Sequence, residues 1–198
     1  MKSLIKFLVV TIIASSAINS VEAQVKQKKV QQFTVISTID APIDDVWKVV
    51  GEDYGAIANS HPKIMSSEYV NGSMKAGEGA QRVCHFNAKG TKYLQEKQVN
   101  YDPANYYFRN QVFSAGKFPV DPEYTFGDYQ LESTSDGKTK FIFTMNYRTK
   151  PAFMGAMAKG QFKRLIRDYA IAIEHNVKTG EKVNKGNFKE IKKMYSDD

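Results

Sequence analysis

Three histidines, His61, His85 and His175, and one cysteine, Cys84, carry all the imidazole and thiol chemistry of this 198-residue chain. A resident zinc-type metal wants three or four such ligands at short, regular spacings. None of the histidines has a partner at that spacing, so no metal is expected. Side chains on a strand alternate between faces. Cys84 therefore shares the face of Arg82 and Phe86, and His85 lies on the other. A thiol becomes a nucleophile when a base or a positive neighbour lowers its pKa. With no base at hand, Cys84 reads as a buried, inert thiol. His61 precedes Pro62 and fits a pocket mouth or, better, a surface turn. Gly77-Glu78-Gly79 lacks the glycine spacing of a dinucleotide or phosphate loop and reads as a hairpin turn. No cofactor is implied.

The formal net charge is +7, and the excess is spread along the chain. Nucleic acid is not an expected partner, because no single element interleaves basic and aromatic residues. The charge suits weak attraction to an anionic membrane surface, and solubility alone explains it equally well. Nothing in the sequence speaks to oligomeric state. Lys2 and Lys6, an apolar run over residues 7–18 and Val21-Glu22-Ala23 have the layout of a signal peptide over residues 1–23. The run falls short of the roughly 20 apolar residues of a membrane span. Cleavage is expected near Ala23, with the mature protein exported to a periplasm or secreted. A lone cysteine rules out an intramolecular disulfide, so packing must supply the stability.

Whatever chemistry the chain has must be positioned by the elements around it, and the clearest is a helix over residues 151–180. Phe162, Leu165, Ile166, Tyr169, Ala170, Ile173 and Val177 recur at three- and four-residue steps, one stripe of a helix. Gly180 stands where a C-cap is wanted. In the first half, Gly155, Ala156, Ala158 and Gly160 leave the helix thin beside Phe153, Met154 and Met157. Thin helices suit close packing on a sheet or a neighbouring cavity. Before this helix the period is two. A first strand ends near Ile39, and Asp40 is a candidate N-cap for a short helix from Ile43 that Gly51 stops. A second short helical turn spans 54–58. Strands are expected over 64–70, 80–86, 91–101, 106–113, 124–132 and 139–149, with a loop over 114–122. In the last strand Phe141, Phe143, Met145 and Tyr147 share one face. This order predicts an α+β domain over residues 33–180, with a flexible lead-in at 24–32 and a basic tail at 181–198. The sheet is antiparallel and curved, and the long helix covers its concave face. A curved sheet and one helix leave room for a pocket between them.

Ser37, Ile39, Pro42, Val46 and Trp47 enter the first short helix, and Asp53-Tyr54-Gly55 with His61-Pro62 follow. Gly77-Glu78-Gly79-Ala80-Gln81-Arg82, Leu94-Gln95-Glu96-Lys97 and Asp102-Pro103 then occur in order. In this arrangement the chain resembles the START-like, or SRPBCC, superfamily, and within it the polyketide cyclase/dehydrase branch. The resemblance implies a helix-grip fold, in which a curved antiparallel sheet wraps around a long C-terminal helix with two short helices after the first strand. It implies a cavity for a hydrophobic or amphipathic small molecule, lipid-like or polyketide-like, lined by Phe141, Phe143, Met145, Tyr147, Met154, Met157 and Ala158. A similar branch, the plant lachrymatory-factor synthases, has a proposed catalytic arginine and glutamate on neighbouring strands. Arg82 and Glu96 stand at the corresponding places. They are thereby candidates either to orient a ligand or to serve a cyclase, dehydratase or isomerase. The same two side chains would also neutralise each other inside the sheet.

Overall fold

The computed structural model describes residues 30–70 and 72–195. The expected signal peptide and most of the lead-in lie outside those residues. Seven strands, β1 (Gln31–Ile39), β2 (Ser66–Tyr69), β3 (Gln81–His85), β4 (Tyr93–Asp102), β5 (Tyr107–Ala115), β6 (Phe126–Ser133) and β7 (Thr139–Tyr147), form one sheet. Its order is β1-β7-β6-β5-β4-β3-β2, antiparallel throughout. Register shifts between β4 and β5, at Gln95/Glu96 and Val99/Asp102, mark bulges, which bend a strand and increase its twist. The first strand starts earlier than expected. Gln31 pairs with Tyr147 on the inner face, and Gln32 Nε2 donates to Asn146 Oδ1 at 3.0 Å on the outer one, so polar residues extend the strand.

Between β1 and β2 run α1 (Ile43–Trp47), a wider π turn (Lys48–Glu52) and a 3-10 turn (Tyr54–Asn59). Pro42, not Asp40, occupies the N-cap position of α1. Asp40 pairs instead with Lys178 Nζ at 2.6 Å, tying the end of β1 to the long helix. At Gly51 a Cβ would lie 2.7 Å from the Trp47 indole, so the chain can turn tightly under that ring. The long helix, α2 (Gly155–Thr179), ends at Gly180 with φ +71°, a left-handed cap that glycine adopts without strain. Beyond it α3 (Phe188–Met194) returns to the body, with Phe188, Ile191 and Val183 packed against Ala172. Met194 at the end of this helix is 67% exposed. No helix among the described residues is long and apolar enough to cross a membrane.

The inner faces of β1, β5, β6 and β7 supply Phe33, Val35, Phe108, Tyr129, Leu131, Phe141, Phe143 and Tyr147. They meet Ile166, Tyr169, Ala170 and Ile173 of α2, as the alternation on β7 and the stripe on the helix require. Each such side chain contributes about 1.5–3 kcal/mol on burial. The helix thus grips the concave face, and the packing between them leaves a space at one place along the helix.

Candidate functional site

That place is a cavity of about 100 Å³ between the sheet and the middle of α2. Phe162, Leu165, Ile166 and Tyr169 roof it, and Val112, Gly127, Phe143 and Met145 form its floor. Gly127 is needed there. Its Cβ would stand 2.6 Å from Phe143 Cζ, so a side chain would drive that ring out of place. At one end the aromatic rings of Phe86 and Phe118 meet, centroids 4.6 Å apart, beside Phe162 and above Leu94 and Val120. The loop expected over 114–122 thereby reaches the cavity through Phe118 and Val120.

The other end is polar. Arg82 and Glu96 are directly opposed across β3 and β4. Arg82 Nε donates to Glu96 Oε2 at 2.8 Å, and Nη1 donates to the Tyr54 carbonyl at 2.8 Å. The guanidinium carbon lies 4.0 Å above the Tyr54 ring, a cation–π contact. Burial opposes the Arg82 charge, but Glu96 and then Tyr54 more than offset it, holding its pKa well above the ordinary value. Tyr54 donates its hydroxyl to Asn110 Oδ1. The Cys84 thiol faces Glu96 Oε2 at 3.5 Å, and burial pushes its pKa up. It is held as a thiol, unsuited to attack. Burial likewise pushes the Tyr129 phenol up to about 12, so the phenols here are donors, not bases.

His61 completes this end, and here the surface-turn expectation fails. The residue is 6% exposed, and its ring lies tilted against Tyr169 with centroids 4.9 Å apart. It is buried because the segment after the 3-10 turn is pinned by the distant C-terminal region. Ser60 bridges to Val183, and Val183 N donates to the Asn59 carbonyl at 2.8 Å. The Nδ1 atom accepts backbone N–H groups from Lys63 and Ile64, each at 3.1 Å. That fixes the neutral tautomer with its proton on Nε2. Burial, followed by the positive charges of Arg82 and Lys63, lowers its pKa from 6.5 to about 3. The unfolded chain therefore takes up a proton near pH 6.5 that the folded chain refuses until about pH 3. The resulting stability is complete above pH 6.5 and is lost as pH falls through that window. Within it the unfolding free energy should fall by about 1.4 kcal/mol per pH unit from this group alone. Urea titrations of the wild type and His61→Gln at a series of pH values should differ by that slope.

Of the residues expected at the site, Arg82, Glu96, Phe143 and Met145 line the cavity. Phe141 and Tyr147 share their face but belong to the closed core. Phe141 packs edge-on to Tyr169, and the Tyr147 hydroxyl donates to the Gly155 carbonyl at 2.6 Å. Met154 and Met157 are 43% and 77% exposed and do not reach the cavity. Ala158 packs against the core without lining the space. The thin half of α2 serves close packing: Gly155 is buried, and a Cβ there would lie 3.0 Å from Gln31 Cγ. The room beside Gly155 is taken by Gln31 and Tyr147, Ala156 and Gly160 are exposed, and the cavity opens farther along the helix. Among the described residues no three His, Cys, Asp or Glu side chains gather in metal-binding geometry.

No curated protein matches the chain. Solved structures share its fold at low identity. Ara h 8.0201 aligns with a TM-score of 0.60 at 23% identity, over 76% of this chain and 99% of that one. Truncated norcoclaurine synthase from Thalictrum flavum aligns with a TM-score of 0.56 at 16% identity, over 75% and 93%. A protein from Nitrosospira multiformis gives 0.56 at 14%, over 71% and 94%. A family model described as polyketide cyclase / dehydrase and lipid transport matches residues 30–173, from the start of β1 into the last turns of α2. A match of that extent places the chain in the polyketide cyclase/dehydrase and lipid transport family of the START-like superfamily.

Proposed function

We propose that this protein binds a hydrophobic small molecule in the cavity between sheet and α2, and that it does so outside the cytoplasm. The observation that carries the reading is a mostly apolar cavity between sheet and helix, with a few fixed polar groups at one end. That is the ordinary make-up of a ligand pocket. The family description, with lipid transport in it, supports the same class of ligand. Size narrows it. At about 100 Å³ the space is well below the roughly 300–1,000 Å³ typical of drug-sized ligands. The cavity therefore suits a compact ring or short chain, and a longer lipid-like or polyketide-like ligand requires it to widen. Export rests on Lys2, Lys6, the apolar run and Val21-Glu22-Ala23.

Arg82 and Glu96 would orient the ligand's polar end. A second reading makes them the catalytic groups of a cyclase, dehydratase or isomerase, and their place on the cavity wall favours it. A proton-transfer role needs a carboxylate within reach of substrate and free to change charge. Glu96 Oε2 instead serves as the counterion of a buried arginine. Calorimetric titration with toluene tests the binding reading. One molecule per chain is expected, with a negative heat-capacity change from apolar burial. No binding of toluene or of any small cyclic hydrocarbon would remove the basis for the reading.

A further inference from the structure

The polar end of the cavity holds a group that the arginine–glutamate pair does not explain. His61 is more than nine-tenths buried and lines the cavity. Its Nδ1 is fully used by the backbone N–H groups of Lys63 and Ile64, and its ring is held against Tyr169. Among the described residues nothing pairs with its Nε2–H. A polar atom on a cavity wall is ordinarily completed by water or a ligand. Asn110 repeats the pattern: its Oδ1 accepts from Tyr54, and its amide N–H groups have no protein partner among the described residues. The charges are balanced. Arg82 is matched by Glu96, His61 is locked neutral by its two backbone donors, and among the described residues no uncompensated cation lines the space.

We infer that His61 is the recognition residue of this cavity, its Nε2–H donating to an acceptor oxygen of the ligand, and that the ligand is a compact neutral carbonyl compound and not a carboxylic acid. The inference rests on the binding reading above and specifies its chemistry. A carbonyl oxygen satisfies the orphan N–H at no cost in charge. A carboxylate would bring a net negative charge into a site whose one arginine is already paired, and burying an uncompensated charge is expensive. A plain hydrocarbon fills the space but leaves the donor unmet.

The test uses three probes of one shape: cyclohexanone, methylcyclohexane and cyclohexanecarboxylate, each titrated by NMR against the wild type and His61→Leu. Cyclohexanone and methylcyclohexane should bind the wild type and the carboxylate should not. In His61→Leu the ratio of cyclohexanone to methylcyclohexane affinity should fall about tenfold, the worth of one buried hydrogen bond. His61→Leu also removes the Nδ1 acceptor that two backbone N–H groups use in folding, so the wild type carries a second readout. The His61 Nε2–H resonance should shift with cyclohexanone and stay in place with methylcyclohexane. If both neutral probes bind with an unchanged ratio and an unmoved resonance, the role of His61 is overturned while the cavity remains a binding site. Tighter binding of the carboxylate would overturn the neutral ligand class. Binding of none of the three would overturn the inference and the binding reading together.

Discussion

Glu96→Gln should lower the unfolding free energy by about 3 kcal/mol, at the lower end of the roughly 3–5 kcal/mol measured when one partner of a buried pair is removed. The amide keeps the shape of the carboxylate and removes its charge. Arg82, 2% exposed, would then lose its counterion and keep its cost of burial. The double variant Arg82→Met/Glu96→Leu should recover most of that loss, because two apolar side chains replace a desolvated pair that gains little net energy. Urea unfolding of the wild type, both single variants and the double variant gives the coupling directly. A single-variant loss below about 1 kcal/mol would mean that the pair is solvated through the cavity. Glu96 would then be available for chemistry, and the enzymatic reading would gain.

Filling the cavity should abolish binding with little harm to the fold. Val112 is 4% exposed on the cavity floor, opposite Glu96 on the neighbouring strand. Val112→Phe puts a ring into the space that a ligand would occupy. Toluene affinity should fall by about a hundredfold or more, the loss of most of its buried apolar contact. The overpacking cost should stay within about 1–3 kcal/mol. Calorimetry on the variant, with thermal unfolding alongside, separates the two effects. Toluene binding of undiminished affinity would put the site somewhere else on the protein.

Much of the fold was readable because its signals are local. The alternation of Phe141, Phe143, Met145 and Tyr147 and the helical stripe from Phe162 to Val177 depend only on near neighbours. They gave a strand and a helix whose apolar faces had to meet, and Phe143, Met145, Arg82 and Glu96 duly face the cavity. What was not readable depends on distant partners. His61 looks like a surface-turn residue because its immediate neighbours Asn59, Ser60, Pro62 and Lys63 are polar or turn-forming. It is buried by the contact of Ser60 with Val183, more than a hundred residues away along the chain. Met154 and Met157 look like pocket residues because small residues flank them. Which face of a thin helix meets the sheet is decided by Gly155 against Gln31 and Tyr147, and no periodicity reports that. Asp40 fits the composition of an N-cap, and the competing attraction of Lys178 from the far end of the chain claims it.

The central claim is that the interior holds a ligand, and native mass spectrometry of the protein purified from its own source tests it most directly. Intact mass after denaturation should correspond to a chain beginning near Gln24. The native mass should exceed it by one small molecule, released on unfolding and identified in the extract as an apolar compound. A bare native mass, together with no thermal shift across a panel of lipids, cyclic ketones and hydrocarbons, would contradict the account.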